Sequence, residues 1–276
     1  MNVIFENSAG VSIDLNAGRP VRLKEANFHQ YEWEYDGTNQ QYGVDIARFE
    51  KKPAEYECSI YFRGSKMRRS EQLTNFHEAA TYDIVNQTPG RLIWGDYYIR
   101  CYVVESSTYP HEEDASVTVN DVIFLCPYPF WVREQVESFS ADQSEADTSG
   151  LDYPFDYSFD YAKAVISRQL TIDHFIPSDF HMTIYGPCSS PAITIGGYTY
   201  QVFVDLIAGE YLVIDSREHT VKVYKAGGVV ENAYNARLKE HSIFERIPPG
   251  THSIALNSDF ALEMIIYLER NEPIWN

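Results

Sequence analysis

Apolar and polar side chains alternate in short runs along most of this chain, and one segment breaks the alternation. Tyr56, Cys58, Ile60 and Phe62 take every second position between more polar neighbours, the period of a strand with one face buried. Residues 97–106 and 117–125 are rich in β-branched and aromatic side chains and predict two further strands. Between the first strand and these two the period lengthens. Leu73, Phe76, Ala80 and Ile84 recur at three- or four-residue spacing over residues 70–86, which predicts an amphipathic helix packed on a sheet. Ser70 is placed to cap its start, and Thr88, Pro89 and Gly90 end it. Arg63, Lys66, Arg68 and Arg69 come just before this helix. Positive charge is unfavourable beside the positive end of a helix dipole, so these four are expected in a solvated turn or against acidic groups of another subunit.

The second half reads as strands throughout. Residues 164–172, 180–185, 199–206, 211–215, 220–224, 252–256 and 262–268 are short strand-like runs at regular spacing. Gly196-Gly197, Gly227-Gly228 and Pro248-Pro249-Gly250 supply turns between them. That pattern predicts an antiparallel sandwich. The two halves meet at a polar, acidic stretch, SFSADQSEADTSG, followed by LDYPFDYSFDY, which holds three Asp, five aromatics and one Pro. The second stretch is too poor in aliphatics for a core strand and too aromatic for a solvated linker. It is expected to lie against a neighbouring domain or subunit through Tyr153, Phe155 and Tyr157. The domain reading is therefore 1–135, a connecting seam over 136–162, and 163–276, with the last residues able to return to the first domain.

Composition narrows the functional classes. With 44% apolar and 14% aromatic residues in 276, the chain can bury substantial cores. It has no run of about 18 apolar residues and its first residues lack a signal-peptide layout, so a soluble protein is expected. Formal charge is −18, and both halves are acidic: residues 1–140 carry 21 Asp and Glu against 13 Lys and Arg, and residues 141–276 carry 19 against 9. A surface of that sign repels phosphates, which argues against tight nucleic-acid binding. Cys58, Cys101, Cys126 and Cys188 show no metal or redox spacing, and Cys58 and Cys101 sit in alternating runs, where a thiol behaves as a small hydrophobe.

No phosphate loop, dinucleotide fingerprint or nucleophile elbow is present. His111, Glu112, Glu113 and Asp114 form the densest acid and imidazole group but lack calcium-loop spacing, and a solvated loop is expected there. No catalytic residue, cofactor site or metal site is assigned. A carbohydrate-binding module contributing to host-surface adhesion is the alternative reading. Trp33, Trp94, Trp131 and Trp275 all lie outside the body of the second domain, leaving Tyr198, Tyr200, Tyr211 and Tyr224 as possible stacking platforms.

Taken in order, TPGRLIWGDYYIRCYVVESS, FLCPYPFW, LDYPFDYSFDY, YGPCSSPAITIGGYTY, GEYLVIDSREHTVKVYK and IPPGTHSIALNSDFALEMIIYLERNEPIW resemble the distal tail proteins of long-tailed (siphovirus-type) bacteriophages over nearly the whole chain. The resemblance implies a mainly β fold: an N-terminal tail-tube-like β-sandwich with one flanking helix, and a C-terminal galectin-like antiparallel β-sandwich. It implies a non-enzymatic hub at the tail tip or baseplate of a phage or prophage, assembled in the bacterial cytoplasm. Six copies would form a ring around the DNA channel, joining the tail tube to tail-tip and receptor-binding proteins, with no membrane partner. A channel that lets DNA slide should be lined by acids. Glu32, Glu34, Asp36 and Asp45 are the candidates, and the basic cluster is expected away from the bore.

Overall fold

The computed structural model describes residues 3–16, 20–139 and 168–274. They divide into two compact units, Met1–Arg133 with Glu269–Asn276, and Glu134–Leu268. Both are mainly β, and the described residues contain one α-helix.

In the first unit β1 (Val3–Glu6), β2 (Ser12–Asp14) and β3 (Val21–Lys24) precede an excursion, β4 (Glu34–Asn39) and β5 (Val44–Glu50). Then follow β6 (Ala54–Arg63), α1 (Lys66–Asn86), β7 (Gly90–Trp94), β8 (Tyr97–Pro110), β9 (Val117–Cys126) and β10 (Trp131–Phe139), the last crossing into the second unit. The organising strand is β8. Tyr97 to Cys101 pair with β7, which pairs in turn with β1. Tyr102 to Pro110 pair with β9, which continues to β6 and β3. A bulge between Val103 and Glu105 falls just inside the second stretch, and a bulge bends a strand, so one strand serves two sheets. Phe5, Ile60, Phe62, Phe76, Ile99, Phe124 and Trp131 fill the space between them, each fully buried.

The helix lies on this core through Phe76, Ala79, Ala80 and Asp83, an i, i+3, i+4, i+7 stripe. It begins earlier than its apolar period suggests. Ser65, not Ser70, is the N-cap, its hydroxyl accepting from the Arg68 amide at 3.3 Å. Lys66, Arg68 and Arg69 therefore belong to the first turn instead of preceding it. Charged residues of good helix propensity extend a helix without adding to its apolar period, so periodicity could not register this turn. At the other end Gln87 takes a left-handed conformation, φ 53°, and Thr88 donates to the Asp83 carbonyl at 3.2 Å. The buried Asp83 carboxylate accepts from both the amide and hydroxyl of Ser8 at 2.7 Å. Gly90 sits so close to that carboxylate and to the Glu6 carbonyl that a β-carbon would collide with both.

The second unit comprises β11 (Arg168–Ile172), β12 (Asp179–Tyr185), β13 (Cys188–Ser189), β14 (Ala192–Ile195), β15 (Tyr198–Gln201) and β16 (Asp205–Leu206). These are followed by β17 (Tyr211–Asp215), β18 (Thr220–Tyr224), β19 (Val230–Asn232), β20 (Gly250–Leu256) and β21 (Ala261–Arg270), whose last two residues belong to the first unit. One antiparallel sheet runs β19-β18-β17-β12-β21 and another β11-β20-β14-β15. Phe180, Ile184, Leu212 and Ile214 from the first meet Leu170, Ile193, Tyr200 and Ile254 from the second in one core.

Two expectations change. Residues 199–206 form two strands, because the chain leaves β15 to let Val202 pair with Arg237 and Phe203 donate to the Ala236 carbonyl. Residues 136–139, read as the start of the connecting seam, finish β10 with alternating exposure; Val136 and Phe139 supply too few apolar positions for a strand period to stand out. The remaining seam, with Tyr153, Phe155 and Tyr157, lies outside the described residues.

Candidate assembly surface

Every residue of β4 and β5 is exposed, and among the described residues the two strands pair only with each other. Their register sorts the side chains, since directly opposed residues share a face. Glu34 opposes Glu50, Asp36 opposes Arg48 and Thr38 opposes Asp45, giving a charged face. On the other face Tyr35 opposes Phe49, Gly37 opposes Ile46 and Asn39 opposes Val44. A bulge at Ala47 keeps Ile46 and Phe49 on one side. Gly37 is required there, because a β-carbon would strike the Asp45 carbonyl and the Val44 side chain. The apolar face remains in water: Tyr35 is 59% exposed, Phe49 61%, Ile46 43% and Val44 40%, and Tyr42 in the connecting turn is 89% exposed. An isolated two-stranded ribbon is at best marginally stable, and contiguous exposed apolar side chains mark interaction sites.

Three of the four acids expected at the channel, Glu34, Asp36 and Asp45, thus share the charged face. Arg48 bridges Asp36 at 3.8 Å and Glu50 at 2.7 Å. Glu32 stands before the ribbon and lines a cavity of about 390 Å³ with Glu34, Lys51, Lys52 and Glu55. Lys52 reaches the Glu34 carboxylate at 2.6 Å, and that hydrogen bond raises its pKa.

Three of the four basic residues, Arg63, Arg68 and Arg69, gather around Gly64. Arg63 and Arg68 line an open cavity of about 360 Å³ with Pro20, Gly64, Asp114 and Ser116. Arg69 is turned back to the Gly64 carbonyl at 2.8 Å. The Asp114 carboxyl is held below its usual range by the Ser116 hydroxyl, then the Ser116 amide. Asp114 is therefore a turn-forming residue here, and His111 packs its ring on Tyr61 at 5.7 Å. Among the described residues no three of His, Cys, Asp and Glu converge as a metal site.

Cys58, Cys101 and Cys126 are buried in the first core, and burial pushes the Cys58 thiol up to about 12. The four tyrosines weighed for sugar binding all make contacts within the second unit, and of them only Tyr200 is buried. Tyr211 and Tyr224 stack on each other at 4.7 Å and 6°. Tyr200 is 2% exposed and donates to the Glu245 carbonyl, and Tyr198 donates to the Ser242 carbonyl. Sequence reasoning missed the β4–β5 ribbon and the aromatic residues at its root. Its signal was the alternation of Tyr35 with Gly37 and of Val44 with Ile46, which the bulge cuts off before Phe49.

The described residues form two mainly β units, the first with one helix laid on its core, and solved structures share this fold. The chain matches the SPP1 Dit (gp 19.1) protein, described as a paradigm of the hub adsorption apparatus in phages infecting Gram-positive bacteria, with TM-score 0.63 and 9% identity over 97% of this chain and 99% of that one. It matches a chain of the phage P2 baseplate in its activated conformation with calcium, with TM-score 0.63 and 13% identity, covering 99% of each. The phage p2 baseplate in its activated conformation with strontium gives 0.62 and 12%, again over 99% of each chain. At these identities the fold is what is shared. No protein-family model and no curated protein matches the sequence.

Proposed function

We propose that this protein is a structural hub of a bacteriophage or prophage tail tip. Six copies close a ring around the DNA channel through the first unit, which serves as a tail-tube-like domain. The second, galectin-like unit faces outward to tail-tip and receptor-binding proteins, and the ring joins them to the tail tube in the virion. The observation that carries this reading is the β4–β5 ribbon: an apolar face left uncovered by the described residues and backed by an acidic face, on a fold shared with a phage hub.

A heterologous contact, in which one patch meets a different patch of the next copy, either closes a ring or grows into a filament. The apolar face of the ribbon is the adhesive in this scheme, and Glu34, Asp36 and Asp45 face the bore with Glu32 beside them. Arg63, Lys66, Arg68 and Arg69 meet carboxylates of a neighbouring subunit, which relieves the repulsion between three of them and the helix dipole. The role is scaffolding, without turnover. Mass in solution tests the scheme: six chains of 31.8 kDa give a ring of about 190 kDa. A protein that stays monomeric at every concentration and salt would sink it, and so would tight binding of duplex DNA at physiological salt.

A further inference from the structure

Among the described residues the ribbon has no ladder partner, so its two roots set its direction. Strands of six residues rise about 20 Å at roughly 3.4 Å per residue. A swing of about 20° at the root therefore moves the tip by roughly 7 Å, more than the ~4.5 Å reach of an apolar contact. A contact surface on such a lever works only if the root is held.

Four separate segments meet at the root on one side chain. Lys51, the residue after β5, places its ammonium 4.2 Å from the ring centre of Phe130, 5.5 Å from Trp33 and 5.9 Å from Tyr31. It also donates to the Asn271 carboxamide oxygen at 2.7 Å. Tyr31 and Trp33 precede β4, Phe130 precedes β10, and Asn271 follows β21. The rings brace one another, Trp33 on Phe130 at 6.2 Å and Tyr128 on Phe130 at 5.2 Å, both edge-on or tilted. Lys52 next door is exposed and reaches only Glu34, a surface pair of little energetic weight.

An ammonium loses hydration in such a seat, and an apolar side chain would pack there without that cost. What the ammonium adds is direction: it must sit over ring faces and also point at one carboxamide oxygen. We propose that Lys51 is the positioning residue of the ribbon, locking β4–β5 through the three rings and Asn271 into the orientation that a neighbouring copy meets. The purpose of this joint rests on the proposed ring, whereas its existence does not.

Limited proteolysis of the full chain separates the two ideas. Chymotrypsin cleavage after Trp33, followed by intact-mass analysis, reports opening of the root in single chains as well as in rings. Lys51→Met and Asn271→Ala should each speed the cut after Trp33, resolved by mass from cuts at the exposed Tyr42 and Phe49, about fivefold or more, the change expected for losing a local contact of modest strength. Lys51→Arg, which returns a cation to the rings, should restore slow cleavage, and the melting of the body should be unchanged in all three. Wild-type cleavage rates in both Lys51→Met and Asn271→Ala would overturn the proposal. So would a Lys51→Met effect that Lys51→Arg does not reverse. If the wild-type protein never forms rings, the hub reading falls while these rates still decide the joint.

Discussion

Two of the aromatic-bearing hairpins have opposite fates. In β17–β18, Tyr211 opposes Tyr224 and their rings stack on one face, while Leu212, Ile214, Val221 and Val223 of the other face are buried. In β4–β5, Tyr35 opposes Phe49, yet both stay in water and no residue of either strand is buried. Local pattern does not separate them, since both alternate and both carry a cross-strand aromatic pair. Partners do: β17 and β18 are flanked by β12 and β19 and covered by a second sheet, whereas the ribbon has neither neighbour nor cover among the described residues. A hairpin's value to the fold is thus set by what lies on its faces, and an uncovered one is free for assembly.

The largest expected effects fall on the buried side of this contrast. Leu212→Ala should cost about 2–5 kcal/mol in denaturant unfolding, through lost burial plus a cavity. Ile46→Ala in the ribbon should change single-chain stability by less than about 0.5 kcal/mol. Equal costs would mean that the ribbon is covered even in the isolated protein. Gly90→Ala should lower stability by about 1–3 kcal/mol, since overpacking against the Asp83 carboxylate and the Glu6 carbonyl has no flexible neighbour to absorb it.

Next come substitutions that act on assembly alone. Phe49→Asp and Ile46→Asp should convert rings to single chains by light scattering while leaving the thermal midpoint in place, because burying an unpaired carboxylate is costly only when a partner covers it. Tyr185→Ala, on the outer face of the second unit, should leave ring mass unaltered. Loss of rings from that change would move the contact surface away from the ribbon.

The smallest effect is a pH dependence at the ribbon root. Burial lowers the Lys51 pKa from 10.5 to about 8, so the opened, solvated root binds a proton more tightly than the seated one. Seating is then independent of pH below about 8, where both forms are protonated, and becomes more favourable as pH rises from 8 toward 10.5. Lys51 is only half-buried and shares its cavity with Glu32, Glu34, Glu55 and Lys52, so solvent screening should hold the gain to a few-fold. Hydrogen exchange at residues 31–35, corrected for the intrinsic rate, should slow across that window in the wild type and not in Lys51→Met. Slowing below pH 7 instead would reverse the assigned sign.

Much of the fold was legible because short-range period encodes burial directly. Phe76 and Ala80 on the helix, Cys58 and Ile60 on β6, and the exact spans of β17 and β18 follow from which side chains recur at 3.6 or 2 residues. Tyr56 to Phe62 alternated for the same reason that its even-numbered residues are buried. The candidate surface was harder to read. Three of its acids were singled out for their charge, but their common face depends on a register that the Ala47 bulge shifts. The helix start was placed five residues late because exposed charged residues carry no period, and the Ser65 cap becomes visible only once its hydroxyl meets the Arg68 amide.

What the sequence determined by itself was local: strand and helix periods, the acidic balance, the apolar thiols and the turn chemistry of Gly196-Gly197. Tertiary structure alone decided which faces found cover and which distant groups met. Lys51 and Asn271 lie 220 positions apart, and Ser8 and Asp83 75 apart. Such meetings depend on how many strands intervene and in what register they pair. A side chain carries no record of that order, because its propensity and polarity act over a few residues, while a ladder's register is the outcome of every pairing between them.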